Sequence, residues 1–206
     1  MPLKTNRGGK RQSSNSNNIS NSSNSSAVLG KQGKAKTVDE ALANTNPNYG
    51  KGREYGVNCQ RCVQAYELQR RGYDVEALAA TMTNNDPMFQ NNNWMRGFMG
   101  QTWTGRGELG SRTSTVEKSI RDKMNTWGDG SRAIVYVAWK AGSAHVFNVE
   151  NHKGSITISE AQTGKRHSLS EYISIAKPSY TMISRVDNLA VNEAVMKHAV
   201  KPRGGK

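Results

Sequence analysis

Three runs of alternating, β-branched residues follow one another closely: "AIVYVAW" (133–139), "AHVFNVE" (144–150) and "SITISEAQ" (155–162). Only "KAGS" and "NHKG" separate them. A parallel crossover needs about a dozen residues or more, so connections this short force consecutive runs to pair antiparallel. The period of two turns one face of each strand toward a core. Whatever this chain folds into must contain an antiparallel meander.

The segments before the meander are helical in pattern. Thr37 and Glu40 read as a capping box for a short helix over 38–43. Asn58 reads as an N-cap and Gly72 as a stop, with the strongest helix, 59–71, between them. Cys59, Cys62, Val63 and Tyr66, with Ala65, share one face of it; Arg61, Gln64, Gln69, Arg70 and Arg71 fall mostly on the other. Residues 81–110, rich in Asn, Gly, Met and Trp, read as a long loop with a short helix over 94–98. Ser114 and Glu117 form a second capping-box pattern, opening a helix over 115–127 whose stripe is Val116, Ile120, Met124 and Trp127. After the meander come a short helix in 168–176, a strand in 180–187 and a last helix in 192–200. Helices first and antiparallel strands afterwards predict an α+β fold.

At 206 residues the chain has room for one domain and a tail. Residues 13–26 are Ser or Asn except for Ile19, and such a segment buries too little apolar surface to offset chain entropy. The expected organisation is a disordered basic Ser/Asn-rich arm over 1–36, one domain over 37–200 and a flexible basic tail over 201–206. The formal net charge is +13, and residues 1–51 carry +6 of it from eight basic and two acidic side chains. That charge admits a nucleic-acid partner through the basic arm. No run approaches the ~18 apolar residues of a membrane helix, so no membrane partner is expected. No apolar stretch follows the basic start "MPLKTNRGGKRQ", which argues against a cleaved secretory signal. The expected location is cytoplasmic, or a destination reached without such a signal, virion association included. Two cysteines are too few for a disulfide framework and suit a reducing compartment.

Chemistry can be carried by few residues. Cys59 falls in the first turn of its helix, where free N–H groups and the helix dipole favour a thiolate; Cys62 lies one turn deeper. Position alone leaves both as candidate nucleophiles or as small core residues. Of four histidines, His152 and His167 fall in or after turns and His198 near the end. His145 stands in a strand, on the face of Phe147 and Val149, after the small residues "AGSA" that leave room for a substrate. A hairpin between 144–150 and 155–160 brings Glu160 to the start of the His145 strand. There Glu160 or Gln162 could accept the imidazole N–H. The chain order is thiol, base, orienter.

"NCQRCVQAYELQRRGYDVEA", "AHVFNVENHKGSITISEAQTGK" and "SRVDN" together resemble the papain-fold toxin and glutamine deamidase domains of bacterial polymorphic toxins, also found beside phage head-morphogenesis proteins. The resemblance covers roughly residues 50–190. It implies a papain-like cysteine hydrolase fold, with the Cys-bearing helix packed on the antiparallel sheet. It makes Cys59 the nucleophile and His145 the base. The family usually has Asp where this chain has Glu160, so either Glu160, one methylene longer, or Gln162 holds the ring. The Asn58 side chain and backbone N–H groups would form the oxyanion site. Trp94, Trp103 and the loop "GFMGQTWTGRGELG" would wall the substrate cleft. The implied chemistry is amide hydrolysis on a protein substrate, deamidation or proteolysis, without cofactor or metal. It is the chemistry of a toxin or effector, with an immunity protein as a further partner and a phage as one route of delivery.

Three other readings compete. A redox pair of Cys59 and Cys62 needs a βαβ frame, but a polar loop precedes the motif and the following strands are antiparallel. A zinc site lacks a second ligand pair at the right spacing. The third is a non-enzymatic virion-associated or nucleic-acid-binding protein with a degenerate papain-like fold, held to phosphate by its basic arm.

Overall fold

The structure is a computed structural model and describes residues 27–204. Its elements run α1 (Val38–Thr45), α2 (Cys59–Arg70), β1 (Val75–Ala77), α3 (Thr113–Trp127), β2 (Arg132–Ala138), β3 (Ala144–His152) and β4 (Ser155–Glu160). β5 (Lys165–Ser168), α4 (Leu169–Ile175), β6 (Met182–Arg185), α5 (Glu193–Met196) and β7 (Val200–Pro202) complete them. The meander forms as the turn lengths demand. β2, β3 and β4 pair antiparallel, β5 and β6 extend the edges, and the order is β5-β4-β3-β2-β6. The fold is α+β, with α2 packed on the sheet.

Alternation sends side chains to two separate cores. Ile134 and Val146 face α2 and join Cys62, Val63, Tyr66 and Leu68. Val135, Val137, Phe147, Val149 and Ile158 face the other way, onto Val116, Ile120 and Met124 of α3 and Leu169 and Ile173 of α4. The sheet is therefore a central layer covered by helices on both faces.

α2 is buried well beyond its apolar face. Its polar face is buried too, because the 81–98 loop and the segment after β6 close over it. Arg61 forms a paired contact with Asp86 (2.8 Å to each oxygen), and both are almost fully buried. Gln64 Nε2 donates to Trp94 O (3.0 Å). Arg71 donates to Leu189 O and to Glu67, which also takes Arg132. Arg70 pairs with Glu150, and the Tyr66 hydroxyl donates to the same carboxylate (2.5 Å). The 3.6-residue pattern shows only one apolar stripe because the second wall of this helix is polar and satisfied by named partners.

Other differences are local. Order begins before residue 37: Leu29 is buried and Gly33 N donates to Gly72 O (2.8 Å). Lys201 and Pro202, expected in the tail, pair with β1. Residues 1–26 of the expected arm lie outside the described residues. The 94–98 helix is instead a 3-10 segment at Gln90–Met95, interrupted by left-handed Asn91 and Asn92. The capping box at α1 is present, but α3 starts at Thr113 and its cap is Arg112, which makes no side-chain cap bond. Glu117 is drawn instead to Arg121 and Ser170. The run 155–162 leaves the sheet after Glu160, and the last helix spans only Glu193–Met196. Gly72 stops α2 as expected: it sits at φ +96°, and a Cβ there would meet Gly33 O at 2.2 Å.

Candidate active site

Cys59 is the first residue of α2 and is 8% exposed. The first N–H groups of a helix lack intrahelical acceptors, so the amides of Cys59 and Gln60 lie beside the sulfur with hydrogen-bonding capacity to spare. β3 runs beyond the end of β4, so His145 has no β4 residue opposite it. The N-terminus of α2 meets the imidazole at that open end, where the Cys59 sulfur neighbours the ring and favours its charged form.

Glu160, the last residue of β4, is 1% exposed. His145 Nε2 donates to its Oε2 at 2.6 Å. Since Nε2 is committed to the carboxylate, Nδ1 is the nitrogen left to the sulfur. Oε2 also accepts from the Tyr172 hydroxyl (3.0 Å), and Oε1 accepts from Gln162 N–H (3.1 Å). Burial opposes charge on His145. The neighbouring Cys59 sulfur and the hydrogen bond and charge of Glu160 outweigh it and push the imidazole up to about 10. The ring lies under Trp139, centroids 5.9 Å apart at 26°, with Phe147 and Tyr172 beside it.

Cys62 lies in a different environment. It is 1% exposed, and its S–H donates to Asn58 Oδ1 (3.2 Å). Burial, with the charges of Cys59 and Glu160, pushes its thiol well above the usual thiol range. Among the described residues no group of three His, Cys, Asp or Glu side chains stands together as a metal site.

A cavity of about 220 Å³ opens at the sulfur, lined by Cys59, Gln60, Phe89, Trp94, Tyr136 and the 144–146 strand end. Its walls are mainly aromatic. Trp94 stacks on Tyr136 (5.5 Å, 29°), while Phe89 is 54% exposed at the rim.

The expected residues divide accordingly. Cys59, His145 and Glu160 come together, and Trp94 lines the cavity. Gln162 does not reach the ring; it serves the site through its backbone, giving N–H to Glu160 and O to Asn46 Nδ2 (2.9 Å). The Asn58 side chain faces away from the cavity. It donates to Leu78 O (3.0 Å) and Asn46 Oδ1 (3.3 Å), so its amide is spent on the loop rather than on an oxyanion. Trp103 packs edge-on behind Trp94 (5.4 Å, 67°) and donates to Met95 O (3.1 Å); it does not line the cavity. The Gly-rich loop runs to the β6 edge, where Thr104 bridges Ile183. Trp139, Tyr172, Tyr136 and Phe89 escaped sequence reasoning. Each looks like ordinary core or loop until the chain brings it to the cavity or the ring.

A family model described as papain fold toxin 1, glutamine deamidase, matches residues 57–165, which is 109 of the 206 residues. The matched stretch runs from the residue before Asn58 to the start of β5. No curated protein and no solved structure matches the chain.

Proposed function

Since the chain belongs to the papain-fold toxin glutamine deamidases, we propose that it hydrolyses the side-chain carboxamide of a glutamine in a target protein, with Cys59 as nucleophile. The observation that carries this reading is His145, held by Glu160 on one side and neighbouring Cys59 on the other, beside a cavity that both Cys59 and His145 line. An imidazolium held up to about 10 in contact with the sulfur is the partner a thiolate requires.

In the proposed reaction the Cys59 sulfur adds to the carboxamide carbon. The amides at the start of α2 receive the oxyanion, without the Asn58 side chain expected beside them. His145 passes its proton to the departing nitrogen, ammonia leaves, and a thioester remains. His145, now neutral, takes a proton from water; the hydroxide adds to the thioester, and the glutamate product and thiolate separate. Glu160 holds the ring in one tautomer and orientation. No cofactor enters these steps.

The cavity supports deamidation over proteolysis. At about 220 Å³ it suits one inserted side chain, whereas a protease needs a groove that runs past both sides of the scissile bond. The complete Cys–His–Glu arrangement likewise speaks against a degenerate, non-enzymatic fold. A protein substrate, an action as toxin or effector, and an immunity partner that masks the cavity belong to the same reading. Delivery by a phage, and phosphate binding by the arm, rest on charge and resemblance alone.

The test is incubation with a proteome, followed by peptide mass spectrometry and ammonia release. Cys59-dependent conversion of glutamine to glutamate is the expected result. New peptide termini without deamidation would make the protein a peptidase instead.

A further inference from the structure

A glutamate carboxylate swings on several side-chain torsions, so a second restraint is needed to hold Glu160 on the imidazole. The structure supplies one from outside the 57–165 match. We propose that Tyr172 is a positioning residue for the Cys59–His145 pair, acting through Glu160.

The Tyr172 hydroxyl donates to Glu160 Oε2 (3.0 Å), the oxygen that also receives His145 Nε2 (2.6 Å). Gln162 N–H takes the other oxygen (3.1 Å). With both oxygens occupied, the carboxylate can neither rotate about its terminal bond nor withdraw from the ring without losing a bond. The Gln162 amide comes from the chain immediately after β4. Tyr172 is the restraint supplied by a separate element.

Tyr172 is itself well fixed. It lies on α4 between Leu169 and Ile173, which are buried against the sheet. Its ring meets Phe147 edge-on (5.0 Å, 79°) and Trp139 edge-on (5.6 Å, 72°). The end of α4 is tied to the β2–β3 hairpin by Lys140 N–H to Ile175 O (3.0 Å) and Lys177 N–H to Ala138 O (2.7 Å). That hairpin carries Trp139, which covers His145. α4 thus sets both the hydroxyl and the aromatic cover from one docked element.

The titratable groups around this cluster are Cys59 and Cys62 on α2, Glu160 on β4, His167 on β5, Glu171 on α4, and Tyr49 before α2. Among the described residues Glu160 is the hydrogen-bond partner of the imidazole, so a change confined to the Tyr172 hydroxyl reaches His145 by way of Glu160.

The proposal uses the functional reading but is tested without a protein substrate. The rate of Cys59 alkylation by iodoacetamide, followed against pH in the full chain, reports the thiolate–imidazolium pair directly. Tyr172→Phe keeps the ring and its packing. The expected result is alkylation about tenfold slower at neutral pH, the scale of weakening one hydrogen bond to a charged group. The alkaline inflection should also move to lower pH. Adding Tyr172→Phe to Glu160→Gln should change nothing further, because the path runs through the carboxylate. An unmoved inflection would reduce Tyr172 to packing. An inflection moving upward would mean that the hydroxyl only drains charge from Glu160. Equal losses in the single and double backgrounds would show a path that bypasses Glu160. Each of these overturns the proposal. Failure of the deamidase reading would instead leave the alkylation pattern intact and the glutamine substrates unconverted.

Discussion

His145 Nε2 lies 2.6 Å from Glu160 Oε2, although the two residues are 15 positions apart and sit at the ends of neighbouring strands. The β3–β4 register produces this contact. Asn148 faces Ser159, so Phe147 stands opposite Glu160, and His145 lies two residues further on the same face. A register slip of one would turn His145 to the α2 face and leave Glu160 buried without its base.

Removing the charge of Glu160 should uncouple the pair. Glu160→Gln keeps the shape but gives Nε2 no anion, so turnover should fall about 10²–10⁴-fold, as for loss of an orienting carboxylate or general base. Single-turnover kinetics on an identified glutamine substrate would measure it, and activity near that of the wild type would remove Glu160 from the site.

The two cysteines should behave differently. Iodoacetamide at neutral pH should label Cys59 and spare Cys62, whose thiol is buried and held protonated. His145→Ala should slow the labelling of Cys59. Cys62→Ala should keep catalytic turnover and cost about 1 kcal/mol in stability. Peptide mapping after alkylation distinguishes the two, and equal labelling would contradict the geometry.

The imidazole sets a pH dependence with a definite sign. Its value in the fold, about 10, lies above the ordinary 6.5, so the protonated form is favoured by folding. The stabilisation is therefore complete below pH about 6.5 and is lost as pH rises through about 10. Urea midpoints across that range should fall in the wild type and fall less in His145→Ala. A wild-type midpoint that rises across it would reverse the sign.

The loop over α2 depends on one buried ion pair. Asp86→Ala would strand Arg61 in the interior without its carboxylate and free the Thr81 and Met88 amides that Asp86 also accepts. The expected cost is about 3–5 kcal/mol, read from equilibrium unfolding. A change within experimental scatter would show that the guanidinium is already solvated.

Phe89 tests the cleft. It is 54% exposed at the cavity rim, so Phe89→Ala should leave stability almost unchanged. It should raise KM roughly fivefold, about 1 kcal/mol of lost apolar contact with the substrate. An unchanged KM for a protein substrate would place the entry elsewhere.

The family resemblance joined Cys59 to His145 and left Glu160 and Gln162 as alternative orienters. The sequence by itself determined the meander and the helix that begins at Cys59. Each is a local matter: period-two runs, turn lengths that forbid a crossover, and small residues or caps at known spacing. The short α1 capping box and the Gly72 stop were legible for the same reason. Only the tertiary structure decided how the polar groups were spent. Asn58 looked like a cap or an oxyanion donor, yet it bonds to Leu78 O because the loop after β1 returns there. Gln162 looked like an alternative orienter, but the chain leaves β4 at Glu160 and gives the site only its N–H. Arg61 and Gln64 read as solvated until distant segments covered them. Tyr172 and Trp139 carried no sign of their place beside His145. A side chain's partners come from whichever segments pack against it, and that packing is a property of the whole chain, which the spacing of its neighbours does not contain.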